Sequence, residues 1–203
     1  MQFSPSVRNG SLTLHILTSV GWAGAVGVFL AHSIATNASA DARVVRAAAW
    51  AMDIAAWYAI LPLALASLAS GLIHAVGTPW GLARHYWVTF KLALALAATA
   101  VLLLKLGPIS ALAEVASVDD ALVGHGSLRV SLMLHAVGGL VVLIAATVLA
   151  VFKPRGRISW GVSAEQREPV PAWVKASLVV FSLFLILLIV MLVAGSHGPN
   201  MHG

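Results

Sequence analysis

Five long apolar runs, at about 12–35, 50–76, 86–106, 130–152 and 173–195, are separated by short polar or turn-forming segments. Roughly 20 apolar residues in a helix rising 1.5 Å per residue cross a hydrocarbon core about 30 Å thick, so each run predicts a transmembrane helix. The first run follows Arg8 and is long, glycine-rich and without a cleavage site, which marks it as mature structure instead of a signal peptide. Gly77, Thr78, Pro79, Trp80 and Gly81 predict a tight turn that makes the second and third helices antiparallel neighbours. After Gly107 and Pro108, Leu112, Val115, Val118 and Leu122 recur at helical spacing with Glu114, Asp119 and Asp120 between them. That pattern predicts a short interfacial helix over about 110–123, lying on the outer surface.

The fifth run carries only Ser177 and Ser182 as polar residues, whereas each of the other four contains a histidine or a charge. A helix with nothing polar to hide can face lipid. The expected fold is therefore an all-α membrane protein in one domain, residues 1–203: five transmembrane helices, four of them forming a bundle core and the C-terminal one peripheral. Gly21, Gly24, Gly27, Ser67, Ser70, Gly71, Gly138 and Gly139 suit close packing within that core.

Composition agrees and narrows the class. The chain is 60% hydrophobic and 9% charged, with a mean hydropathy of +0.95, which excludes an ordinary soluble domain. There is no cysteine, so disulfides, thiolate metal sites, iron–sulfur clusters and covalent haem attachment are excluded. The isoelectric point near 10.3 reflects basic residues scattered at membrane edges, not a patch, and nucleic acid is excluded as a partner in favour of the lipid bilayer. With the amino terminus inside, Arg8, Arg84, Lys153, Arg155, Arg157, Arg167 and Lys175 are cytoplasmic against Arg43, Arg46, Lys105 and Arg129 outside. Positive residues prefer the inside, so an N-in, C-out protein of a bacterial inner membrane is expected, with Trp160 and Trp173 as interfacial anchors.

Ionisable side chains inside the runs are the functional question, because a membrane interior makes them costly. His15 and His32 lie 17 residues apart, about 25 Å along one helix. The returning second helix brings His74 to the level of His15, and the inward fourth helix carries His135 toward the level of His32. Two histidines on different helices can hold a b-type haem without cysteine. Gly71 near His74, and Gly138 and Gly139 near His135, leave room for a macrocycle on the same helical faces. Lys91 either snorkels to the interface or binds an anion such as a porphyrin propionate. Asp53, flanked by Trp50 and Trp57, either pairs with Arg46 or Arg129 or serves as a proton-relay or cation-binding carboxylate. His125 and the tail residues His197, Met201 and His202 form an alternative set suited to copper, with Met133 and Met191 as deeper thioethers.

The first run reads Leu14-His15-Ile16-Leu17-Thr18-Ser19-Val20-Gly21-Trp22-Ala23-Gly24, and the third begins Trp87-Val88-Thr89-Phe90-Lys91-Leu92. A histidine and Trp-x-Gly early in the first helix, with a lysine early in the third, resembles the superfamily that contains HemJ and the copper-resistance D proteins. The stretch from Gly71 to Leu104 is also similar to an uncharacterised actinobacterial integral membrane family of that type. HemJ-type proteins are haem-associated and oxidise protoporphyrinogen, and their histidine and lysine correspond to His15 and Lys91. The resemblance covers about residues 11–150 and departs from HemJ in the fifth helix and in Trp87.

Three functions follow as expectations. The first is a haem-b-binding bundle for electron transfer or porphyrin chemistry, with a quinone or a redox protein as partner. In it His15 and His74 ligate an inner haem, Lys91 steadies a propionate, and His32 with His135 forms an outer site. The second is copper handling through His32, Asp53, His125, His135 and the tail. The third is a scaffold subunit without a ligand.

Overall fold

The computed structural model describes residues 3–78, 81–118, 122–158 and 169–196. Described residues outside helices lie in short turns and connectors. Helix α1 (Pro5–Ala38) starts with proline in its first turn, where the missing N–H costs nothing. Helix α2 (Ala42–Ala55) is capped by Asp41, whose carboxylate accepts from the Arg43 amide at 2.9 Å. It passes through one wide π turn (Ala56–Ile60) into α3 (Leu61–Val76). Helix α4 (Tyr86–Val118), a 3₁₀ turn (Leu122–His125), α5 (Gly126–Phe152) and α6 (Ala172–Ser196) complete the chain.

The π turn has a local cause. Pro62 has no amide hydrogen, and its ring collides with the carbonyl four residues back in a regular helix. A wider turn immediately before it relieves that clash, at the expense of shifting the helical register between Asp53 above and Ser67 below.

Helix α1 packs against α2–α3 and α5, and α4 packs against the same two, so α1 and α4 occupy opposite corners of a square bundle. Consecutive helices are antiparallel. Trp22, Phe29, Met52, Ile60, Ile109, Leu112 and Leu132 fill its core. The outward faces are also apolar: Leu17, Tyr58 and Leu104 are exposed. Such an apolar coat requires lipid in place of water. Four segments, Pro5–Ala38, Ala42–Val76, Tyr86–Val118 and Gly126–Phe152, are long and apolar enough to cross a membrane, and α6 adds a shorter described stretch, Ala172–Leu183. This is a multi-pass helical membrane protein.

Among the described residues, helix α6 meets the bundle mainly through α5. The start of α6 is anchored at several points. Val174 is buried, the Trp173 ring lies 6.1 Å from Phe90, and Trp173 Nε1 donates to the Arg155 carbonyl at 2.8 Å. The preceding connector is pinned under α4, with Ile158 N donating to Arg84 O at 3.0 Å and Tyr86 N to Gly156 O at 3.4 Å. Gly156 has φ +148 and lies against Pro171 and Tyr86, a position few other residues can take. Arg8, Arg84, Lys153, Arg155, Arg157 and Lys175 sit at this end of the bundle, hereafter the basic end. Arg167 and Trp160 lie outside the described residues.

The expected interfacial helix over 110–123 is not a separate element. Helix α4 runs straight through Pro108 to Val118. An interior proline costs roughly 3 kcal/mol, but Ile109, Leu112 and Ala116 are almost fully buried, largely against α2. Burying two large aliphatic side chains returns roughly 1.5–3 kcal/mol each, so packing wins. Helices of 34 and 33 residues are about 50 Å long, and roughly 20 Å of that length lies beyond the hydrocarbon core. The bundle therefore continues past the bilayer.

Leu112→Ala should destabilise the detergent-solubilised protein by about 2–5 kcal/mol. Exposed Leu104→Ala should leave the thermal unfolding midpoint within a degree or two. Equal shifts for both would show that the extension of α4 is not packed as described.

Candidate functional site

The basic half of the bundle contains a ladder of polar side chains between α1 and α3. Ser11 Oγ lies 3.0 Å from His74 Nδ1. One turn on, His15 Nδ1 is 3.1 Å from the Ser67 carbonyl and 3.3 Å from Ser70 Oγ. Thr18 Oγ1 is 3.3 Å from Ser70 Oγ, and Ser19 Oγ is 2.8 Å from Ser67 Oγ. Positions 11, 15, 18 and 19 share one face of α1, and 67, 70, 71 and 74 share one face of α3, because residues three and four apart align along a helix.

The decisive contact crosses the bundle. Lys91, at the opposite corner on α4, places Nζ 2.7 Å from His15 Nε2. A carbonyl oxygen cannot donate, so Nδ1 carries the imidazole proton and donates it to Ser67 O. Nε2 then holds a lone pair and accepts from the lysine. Both ring nitrogens are thereby satisfied by neutral imidazole in a single tautomer. Lys91 does not snorkel to the interface; its head turns into the bundle.

Gly71 explains why His15 fits. A Cβ at position 71 would lie 2.9 Å from His15 Cε1, closer than side chains approach one another, so the imidazole occupies the volume that glycine leaves. The expected use of Gly71 was different, as space for a macrocycle. With His15 in that space, Nε2 engaged by Lys91 and His74 Nδ1 engaged by Ser11, the residues do not fit a haem held between His15 and His74. The two histidines share one end of the bundle, as their depths predicted, but on successive rungs of the ladder.

The outer pair is likewise not joined. His32 Nδ1 lies 2.9 Å from Val28 O, and His135 Nδ1 lies 2.6 Å from Ser131 O, each within its own helix. His135 Nε2 is buried without a partner. Gly138 and Gly139 do border open space beside it, a cavity of about 140 Å³ lined also by Trp22, Phe29 and Lys105. That is close to a cavity known to hold one benzene ring and is too small for a porphyrin.

At the far end, Asp53 accepts from Ser110 Oγ at 2.6 Å, and Ser110 Oγ in turn accepts from Trp57 Nε1 at 3.0 Å. Arg129, one of its two expected partners, instead donates from Nη1 to the Thr36 carbonyl at 2.7 Å. Asn37 Nδ2 donates back to Arg129 O at 3.3 Å, clamping α1 to α5. His125 caps the start of α5 with Nδ1 buried and unpartnered. Among the described residues, no three histidine, aspartate or glutamate side chains are grouped to hold a metal ion. His197, Met201 and His202 lie outside the described residues.

Comparisons with known protein families, with curated proteins and with solved structures give no match to this chain.

Ser11, Thr18, Ser67 and Ser70 carry the ladder, yet sequence reasoning valued only the last two, and only for their small size. The signal was present: hydroxyls recur with the histidines at three- and four-residue spacing inside otherwise apolar runs.

Imidazole ¹⁵N spectra should show His15 protonated at Nδ1 and bare at Nε2. Lys91→Met should shift the Nε2 resonance of His15 and leave that of His135 in place. A protonated Nε2 in the wild type would contradict the contact.

Proposed function

We propose that this protein crosses the bacterial cell membrane five times with its amino terminus inside, and that Lys91 and His15 form an acid–base centre acting on an oxidisable substrate dissolved in the membrane. A porphyrinogen, the substrate of the HemJ-type proteins that the sequence resembles, is the substrate class. One observation carries this reading. The two residues that the resemblance singles out separately lie 76 positions apart in sequence and meet at 2.7 Å, across the diagonal of the bundle.

The chemistry follows from the tautomer. The lone pair on His15 Nε2 is a base aimed at the bundle interior, and Ser67 O fixes the ring so that this atom stays the acceptor. When a substrate group displaces the ammonium, Nε2 takes its proton as the substrate's electron pair passes to a membrane quinone, the electron acceptor, and Lys91 is left beside the site to pair with a substrate carboxylate. Ser70, Ser11 and His74 extend the polar ladder from the centre toward the basic end, offering positions through which a proton can leave. The arginines and lysines of that end attract an acidic substrate.

The test is porphyrin fluorescence from protoporphyrinogen in membranes containing the protein, against membranes without it. His15→Ala and Lys91→Met should each lower the rate by about 100-fold or more, as loss of a general acid or base does. Lys91→Arg should retain part of it. A wild-type rate equal to background removes the porphyrinogen assignment. Full activity in a folded His15→Ala variant removes the centre.

A further inference from the structure

At the basic end, the chain that leaves α5 is held in place where a connector is usually mobile. Helix α5 stops at Phe152, and Lys153, with φ +43, turns the chain away from the helix axis. Gly156 O then accepts from Tyr86 N at 3.4 Å, Ile158 N donates to Arg84 O at 3.0 Å, and Arg157 faces His85 in an isolated antiparallel bridge. From the other side, Trp173 Nε1 donates to Arg155 O. Exposure alternates along the segment: Lys153, Arg155 and Arg157 are exposed, and Pro154, Gly156 and Ile158 are half-buried.

The result is a ledge of fixed backbone that carries cations. Two residues of chain span at most about 7 Å, so Lys153, Arg155 and Arg157 follow one another within that interval. The hydrogen bond from Ile158 brings the backbone of exposed Arg84 alongside Arg157. Lys175, also exposed, stands two residues beyond the tryptophan that holds Arg155. Among the described residues, the carboxylates Asp41, Asp53 and Glu114 lie at the opposite end of the bundle, so none of them offsets these charges. Glu165 and Glu168 lie outside the described residues.

A forked guanidinium matches the oxygens of a phosphate. The surface beside the ledge decides which kind of phosphate. Val151 and Phe152, on the last turn of α5, are 68% and 77% exposed, so the lipid-facing apolar surface runs up to Lys153. Aromatic side chains such as Tyr86 and Trp173 prefer this boundary between hydrocarbon and water. A ligand lying across the step needs an apolar chain on one side and a phosphate on the other. Clusters of basic residues directly at the end of a membrane span recognise that combination.

We propose that Arg84, Lys153, Arg155, Arg157 and Lys175 form a binding site for the headgroup of an anionic phospholipid whose acyl chains lie along the exposed end of α5. The site is independent of the Lys91–His15 centre, and Lys91→Met should leave it intact.

The test uses the full-length protein in nanodiscs of equal phosphatidylglycerol and phosphatidylcholine, released into detergent, with the lipids it retains counted by native mass spectrometry. Phosphatidylglycerol should be retained over phosphatidylcholine by about tenfold or more. Arg155→Gln combined with Arg157→Gln should bring the two lipids to parity, whereas Arg43→Gln at the far end should keep the preference. Two further variants keep every charge and disturb only the ledge. Gly156→Ala places a Cβ 3.1 Å from Pro171 and from Tyr86, and Trp173→Phe loses the bond to Arg155. Both should lower the preference several-fold while circular dichroism and the thermal unfolding midpoint report a folded bundle. An undiminished preference in the double arginine variant, or in both ledge variants, would overturn the proposal. So would an equal loss in Arg43→Gln, which would reduce the effect to net charge, or displacement of the lipid by excess inorganic phosphate, which would mark a soluble phosphate ligand instead.

Discussion

A polar group inside a lipid-embedded bundle has no water to fall back on, so one left without a partner in the protein is costly. That constraint organises the interior. At the basic end it produces the ladder between α1 and α3, in which nearly every rung closes a hydroxyl or an imidazole against the facing helix. At the far end it ties Asp53 to Ser110 and Arg129 to a backbone carbonyl. Interhelical hydrogen bonds of this kind are worth only about 0.6 kcal/mol each on average. Their main effect is on geometry: they fix the rotation and depth at which the helices meet, while packing of Trp22, Phe29, Met52 and Leu132 supplies most of the cohesion.

The Lys91–His15 contact is the extreme case, because it spans corners whose backbones are not in close contact. Two long side chains must reach across the interior, and each is held from behind. The imidazole is backed by Gly71 and anchored to Ser67. Lys91 rises from the first turns of α4, where Trp87 and Val88 are buried beside Ala75. A base already oriented by a second hydrogen bond is the arrangement expected of a working histidine, and less of one that merely fills space.

Much of this architecture was legible in the chain, for reasons that also explain what was not. The four long spans follow from hydropathy alone. Depth along a helix is simple arithmetic, which is why His15 and His74 fall at one end. Rotation about the axis is harder to read. Whether His15 turns toward His74 or toward Lys91 depends on the angles between three helices, and the π turn at 56–60 shifts the face of α3 in a way that no regular period anticipates. Pro108 misled for a related reason: a proline after glycine is a local stop signal, and the burial of Ile109 and Leu112 that overrides it is tertiary.

The wide turn before Pro62 also separates two design problems within a single span. Above it, α2 presents Met52 and Asp53 to α1 and α4; below it, α3 presents Ser67, Ser70 and His74 to α1. One extra residue per turn rotates everything downstream by about 100° relative to an uninterrupted helix. The same stretch of chain therefore serves two differently oriented interfaces, and the packing of the far end can drift in composition without turning the histidine ladder away from its partners.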